Sequence, residues 1–351
     1  MQKIIDLGRR VKLLCAASAV GHEEFFGPLG DLFDYHDESD KFGASTWELS
    51  EGELDRITLN LLLKKARLKP CDIDILFAGD LQNQCVATSQ GLSSFGIPYI
   101  GLYGACSTSA EGLLCSSMFL HSSDTLKRCA SITSSHNCAA ERQFRTPIEY
   151  GGQRTPTAQW TATAAGAFLL ERVNEGSDEG SDEDISEYNE KKEKTIYISE
   201  VMAGKIVDSG VSDAANMGAA MAPAAADTIE SYFKMSGKSP SDFDFIITGD
   251  LGKEGSDILR ELLFSIGIDV RKNHSDCGVM LYDFKRQDVH SGGSGCGCSA
   301  SVLASYFIPR LKKGEISNIL FMATGALMSP SSIQQGGSIA GIAPLIHFIS
   351  E

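Results

Sequence analysis

The sequence is short of positive charge, of metal-binding spacing and of histidine in useful places, and each shortage excludes something. Thirty-one Lys and Arg against 46 Asp and Glu give a formal net charge of −15. That balance argues against nucleic acid and against electrostatic attachment to anionic lipid, both of which need basic surface. No stretch approaches the ~20 apolar residues of a membrane span. Leu13 to Val20 follows Lys3, Arg9, Arg10 and Lys12 like a brief leader, but its apolar part is short and Asp6 interrupts the basic part, so it is expected to be a first buried strand. The ten Cys do not form a CxxC pair of pairs. Cys296 and Cys298 are too close for an unstrained disulfide and lack partners for zinc, which points to a reduced compartment and no metal centre. Gly292 to Gly297 lacks the Lys-Ser/Thr of a P-loop, so nucleotide binding is rejected.

What is present is a duplication. Asp72-Ile-Asp-Ile-Leu-Phe-Ala-Gly-Asp-Leu81 and Asp242-Phe-Asp-Phe-Ile-Ile-Thr-Gly-Asp-Leu251 are related by a constant offset, 242 − 72 = 170. Each is an acidic step into a buried strand that ends at Gly-Asp-Leu. Helical stretches precede both, Glu53 to Leu68 and Ala224 to Met235, the second opened by Pro223. Looser pairs set Gly104-Ala-Cys-Ser107 against Cys296-Gly-Cys-Ser299, and Arg128 to Thr133 against Asn318 to Thr324. Strands alternating with helices imply parallel pairing in sheets covered on both faces. Two such halves, 1–173 and 195–351, back to back predict a five-layer αβαβα sandwich. Between them, 174–194 is rich in Gly, Ser, Asp and Glu. Its spacing does not match an EF-hand loop, and it reads as a solvated hairpin.

Cys106 carries the chemical interest. It lies in Tyr103-Gly-Ala-Cys-Ser-Thr-Ser-Ala-Glu-Gly112, a sharp turn between a strand-like run and an Ala-rich helix. Small residues let the backbone bend tightly there, and the helix N-terminus is expected to favour thiolate.

This turn and the duplication resemble the thiolase superfamily, which includes the condensing ketoacyl synthases. Further stretches sharpen the resemblance to a sporulation family within it: Thr133-Ser-Ser-His-Asn137, Ala140-Glu-Arg-Gln-Phe-Arg145, Glu149-Tyr-Gly-Gly-Gln153, Met217 to Asp227, Gly292-Gly-Ser-Gly-Cys296 and Ala323-Thr-Gly-Ala-Leu327. The resemblance implies a thiolase-like duplicated sandwich with mixed sheets and no cofactor. It implies a homodimer and a soluble protein associated peripherally with the spore inner membrane. Such a protein binds dipicolinic acid (pyridine-2,6-dicarboxylate), alone or as its calcium chelate, and acts in its uptake with membrane partners. It also implies lost catalysis. Condensing enzymes carry a His where this chain has Gly249-Asp250, and an Asn or second His in the loop corresponding to Gly292–Cys298. Without a partner, Cys106 is a vestigial nucleophile. The alternative is a Cys106-dependent acyltransferase or thioesterase with another base, such as His136.

A dianionic ligand needs local positive charge. Lys127, Arg128, Arg142, Arg145 and Arg154 against Glu141 and Glu149 make 125–160 locally basic, 5 − 2 = +3. The Arg fork suits a carboxylate, and Arg142 and Arg145 sit in a motif of the resemblance. The expected ligand-binding set is Cys106, His136, Arg142, Arg145, Gly249, Asp250 and Gly295. Three of these keep a second reading: His136 as a structural imidazole, Cys106 as a small buried side chain, and Asp250, like its twin Asp80, as a turn cap.

Overall fold

The computed structural model describes residues 2–144, 154–173 and 193–351. Arg145, Glu149 and nearly all of the acidic segment 174–194 lie outside them. The first half runs β1 (Val11–Val20), α1 (Trp47–Ala66), β2 (Ile75–Gly79), α2 (Val86–Leu92), β3 (Tyr99–Gly101), α3 (Thr108–Ser122), β4 (Arg128–Ser135), α4 (Asn137–Phe144) and β5 (Ala164–Arg172). The second runs β6 (Ile196–Met202), α5 (Met217–Ser236), β7 (Phe245–Thr248), α6 (Gly252–Ser265), β8 (His274–Asp276), α7 (Cys296–Val302), α8 (Ile308–Lys312), β9 (Asn318–Met322) and β10 (Leu345–Ser350).

Both halves have one topology. The strand order is β1-β5-β4-β2-β3 in the first and β6-β10-β9-β7-β8 in the second. The three strands joined by helices pair in parallel, and the other two antiparallel, in each half. A short β1–β6 pairing at Lys12–Leu13 and Ile196–Tyr197 joins the sheets.

The layers follow from where apolar faces can be buried. Leu59, Leu62 and Leu63 of α1 cover one face of the first sheet, and Ala224, Ala225, Ile229 and Phe233 of α5 cover the far face of the second. Between the sheets, Ala110, Leu113 and Leu120 of α3 share a core with Cys298, Ala300 and Val302 of α7. Helix caps set the boundaries. The Thr46 hydroxyl accepts from Leu49 N–H at the start of α1, and the Asn216 carbonyl accepts from Ala219 N–H at the start of α5. Helix α5 therefore begins six residues before Pro223, which sits inside it rather than opening it. The Asn216 cap sets the start that the proline was expected to mark.

The repeat extends to individual hydrogen bonds. Asp74 accepts from Lys127 and Arg128 N–H at 2.7 and 2.8 Å, and Asp244 from Ser317 and Asn318 N–H at 2.6 and 3.0 Å. These contacts fix the later offset at 318 − 128 = 190. The same offset relates Cys106 to Cys296 and Ser109 to Ser299, whose hydroxyls meet at 2.6 Å. The pairing of Cys106 with Cys298 expected from sequence is thus displaced by two residues. The likeness of small-residue motifs does not fix a register; strand contacts do.

Candidate functional site

The turn after β3 is built as the sequence suggests. Ala105 has φ 51°, a left-handed conformation that costs a non-glycine residue roughly 1 kcal/mol, and it aims Cys106 inward. A side chain at Gly104 would meet Glu111 Oε2 at 2.5 Å and Ser107 Oγ at 2.6 Å, so both side chains would have to shift to admit one. Cys106 is buried in a small cluster with Leu81, Ala140 and Cys296, flanked by Phe144. Phe144 also lines a cavity of about 60 Å³ with Ala214, Met328, Pro330, Ile333 and Gln334.

Asp250 is the carboxylate of this site. It is fully buried. Its Oδ2 accepts from Gly295 N–H at 2.9 Å and the Ser294 hydroxyl at 3.3 Å, and its Oδ1 from the Thr324 hydroxyl at 2.9 Å. The Cys106 thiol lies close enough to feel its charge. Burial raises the Asp250 pKa to about 6 against the pull of these donors. Gly249, Asp250 and Gly295 thus lie together with Cys106. Gly249 has no room for a side chain, since a Cβ would lie 2.9 Å from Ala323 Cα. Gly295 has φ 103°, and a Cβ would lie 2.6 Å from Ser135 Oγ.

Asp250 does not cap its own turn. Asp276 of β8 does so, accepting from Leu251 N–H at 2.9 Å and Gly252 N–H at 3.0 Å, and from the Thr248 hydroxyl at 2.6 Å. Burial raises the Asp276 pKa to about 7, with Asp250 adding to it. The expectation of thiolate at Cys106 is also corrected. Burial pushes the thiol well above its ordinary pKa, and the Asp250 charge pushes the same way. Dehydration and a facing carboxylate outweigh the helix N-terminus.

The cationic part of the expected set does not gather there. Strand alternation sends Ser134 and His136 to one face of β4 and Ser135 to the other. Ser134 bonds Glu51 and Asp55 of α1 at 3.0 Å each, His136 Nε2 meets the Asp40 carbonyl at 2.8 Å, and its ring packs on Trp47. His136 therefore points to the α1 layer, while Ser135 faces Gly295. On α4, Ala140 and Phe144 face Cys106. Arg142, off that stripe, is exposed and paired with Glu48 at 3.0 Å. Arg128 pairs with Glu171 at 2.7 Å and Arg154 with Asp288 at 2.5 Å. The locally basic stretch is thus dispersed, because each of these guanidinium groups already has its own carboxylate. Arg145 is outside the described residues.

The other ring-bonded histidines are spent elsewhere. His274 accepts from Arg260 Nε–H at 3.1 Å and meets the Thr248 hydroxyl, with burial lowering its pKa to about 3. His347 meets Glu200 at 2.8 Å and Asn318 at 2.6 Å, and His290 the Thr155 carbonyl at 2.6 Å. Sequence reading missed Asp276, and missed Thr324 and Ser294 as partners of Asp250; the last two lay inside quoted motifs and carried that signal unread. No helix among the described residues is long and apolar enough to cross a membrane.

Comparison with known proteins places this geometry. The chain resembles 3-oxoacyl-(acyl carrier protein) synthase III of Xanthomonas oryzae pv. oryzae with a TM-score of 0.58 at 12% identity, over 99% of this chain and 100% of that one. A variant of Xanthomonas campestris OleA gives 0.58 and 12%, over 97% and 99%. These likenesses show a thiolase-like fold. In sequence, the chain is 40% identical over 333 residues to stage V sporulation protein AD of Bacillus subtilis, covering 95% of this chain and 92% of that protein. The family described as Stage V sporulation protein AD (SpoVAD) matches residues 1–349, and the chain belongs to that family.

Proposed function

We propose that this protein is a non-catalytic binding protein for dipicolinic acid that acts in its uptake during sporulation, with membrane partners and as a homodimer. The observation that supports it best is the company of Cys106. A condensing enzyme needs its thiol activated by a base and its thioester oxygen met by positioned donors. Here burial and the nearby Asp250 carboxylate raise the thiol's pKa, and its hydrogen-bond partner is the Ser294 hydroxyl at 3.8 Å. Losing a positioned acid–base partner costs ~10²–10⁴-fold in rate. A buried thiol well above pH 7 loses more.

The same surroundings suit a small planar ligand. Ser294, Thr324 and Gly295 N–H, which here donate to Asp250, are the kind of donors a ligand carboxylate takes. The floor of Cys106, Ala140 and Leu81 is apolar. Two or three charge-assisted hydrogen bonds at ~1.5–3 kcal/mol each suit micromolar binding, about −8 kcal/mol. Calorimetric titration with dipicolinate beside picolinate tests the reading, with and without calcium. The expected result is micromolar affinity that needs both carboxylates and survives Cys106→Ala. Absence of heat at millimolar dipicolinate, together with acylation of Cys106 by thioesters, would overturn it.

A further inference from the structure

We propose that an aromatic dicarboxylate enters the Cys106 site together with a proton, which Asp250 takes up as the ligand binds. The inference rests on the binding reading above. Several elements set the charge around Asp250. The turn before α3 supplies the Cys106 thiol, the loop before α7 supplies Ser294 and Gly295, and the segment after β9 supplies Thr324. Gln159 donates to the Asp250 carbonyl at 2.7 Å. Beyond them, β8 supplies Asp276, and Cys277, Cys296 and Cys298 feel the Asp250 charge. Every one of these groups is neutral or acidic.

A ligand carboxylate set against Cys106 therefore adds negative charge beside a buried one, with no cation among the described residues of this shell to offset it. In a dehydrated site that repulsion favours the neutral acid. The balance is simple: one proton from solvent forms an O–H bond on Asp250, and no bond of the ligand breaks. Thr324 accommodates the change, since its hydroxyl donates to Oδ1 and can turn to accept from it. Burial already holds the carboxyl within reach of protonation near neutral pH.

Calorimetric titration of the whole protein with dipicolinate in metal-free buffer tests this. It is run from pH 6 to 8, where the ligand carboxylates stay ionised, in two buffers of different ionisation heat. The expected result is uptake of one proton per ligand at pH 7 to 8 and an affinity that falls about tenfold per pH unit. Asp250→Asn, which can keep its carbonyl toward Gly295 and turn its amide to Thr324, is expected to bind independently of pH. Buffer-independent heat with a flat pH profile in the wild type would keep the binding reading and overturn this one. A slope that survives in Asp250→Asn would move the proton elsewhere, to Asp276 first, and overturn the assignment. No binding at any pH would overturn both. If Asp250→Asn does not fold, the two-buffer measurement on the wild type still decides whether a proton is taken up.

Discussion

Asp80 and Asp250 occupy the same place in two copies of one strand, yet they do different work. Asp80 stays local: it accepts from Gln82 N–H at 2.8 Å, and from Thr88 N–H and the Thr88 hydroxyl at 2.9 and 2.8 Å. It closes its own turn and starts α2. Asp250 reaches across to Gly295, Ser294, Thr324 and the Cys106 thiol. What frees it is Asp276, which takes over the turn at Leu251 and Gly252. A duplicated capping carboxylate becomes available to a site once a neighbouring strand supplies a second cap.

The sharpest way to break the comparison is to remove each carboxylate in turn. Asp80→Ala strands two buried backbone donors, Gln82 and Thr88 N–H, and is expected to cost about 2–4 kcal/mol in denaturant unfolding. Asp250→Asn keeps most of its contacts and is expected to cost no more than about 1 kcal/mol. Equal losses would mean that both are caps.

Proton linkage should appear in the same pair of turns. Asp250 and Asp276 have folded pKa values raised to about 6 and about 7. Raised carboxyls hold protons in the folded state that the unfolded chain releases, so their contribution is full below the unfolded value near 4. It is lost as pH rises through 6 to 7. For Asp250 that is of order 3 kcal/mol. Glu24 and Glu51, with burial raising both to about 8, add the same sign. Unfolding midpoints are expected to rise from pH 8 to pH 5, with a smaller rise in Asp250→Asn that shows mainly below pH 6. A midpoint that falls over that range would contradict the assignment.

Smaller effects sharpen the boundary of the site. Gly295→Ala combines a left-handed φ with a contact at Ser135 and is expected to cost about 1–3 kcal/mol and to weaken ligand binding. Arg142→Ala removes an exposed ion pair and should change stability by less than about 0.5 kcal/mol, with dipicolinate affinity within twofold. A large loss of affinity there would restore Arg142 to the site.

The duplication, the Cys106 turn and the gathering of Gly249, Asp250 and Gly295 were legible because each is written locally, as a strand ending in Gly-Asp-Leu or a run of small residues. The divergence of Asp250 from Asp80 was not. Its cause, Asp276, lies 26 residues away on a strand with no counterpart motif. The direction of His136 is available from strand alternation after Ser134, but membership of a motif placed it in the expected set with Cys106. Charge counting along 125–160 failed for another reason. A local excess of Arg says nothing of the Glu48, Glu171 and Asp288 that fold back onto it.

The raised pKa of Cys106 beside Asp250 predicts a protonated thiol with little reactivity at neutral pH. The direct measurement is the pH profile of Cys106 alkylation, followed on its own peptide by mass spectrometry. The expected result is slow modification with an apparent pKa above 9, lowered in Asp250→Asn. Fast modification at pH 7 with an apparent pKa below the ~8.5 of a free thiol would show an activated nucleophile and contradict it.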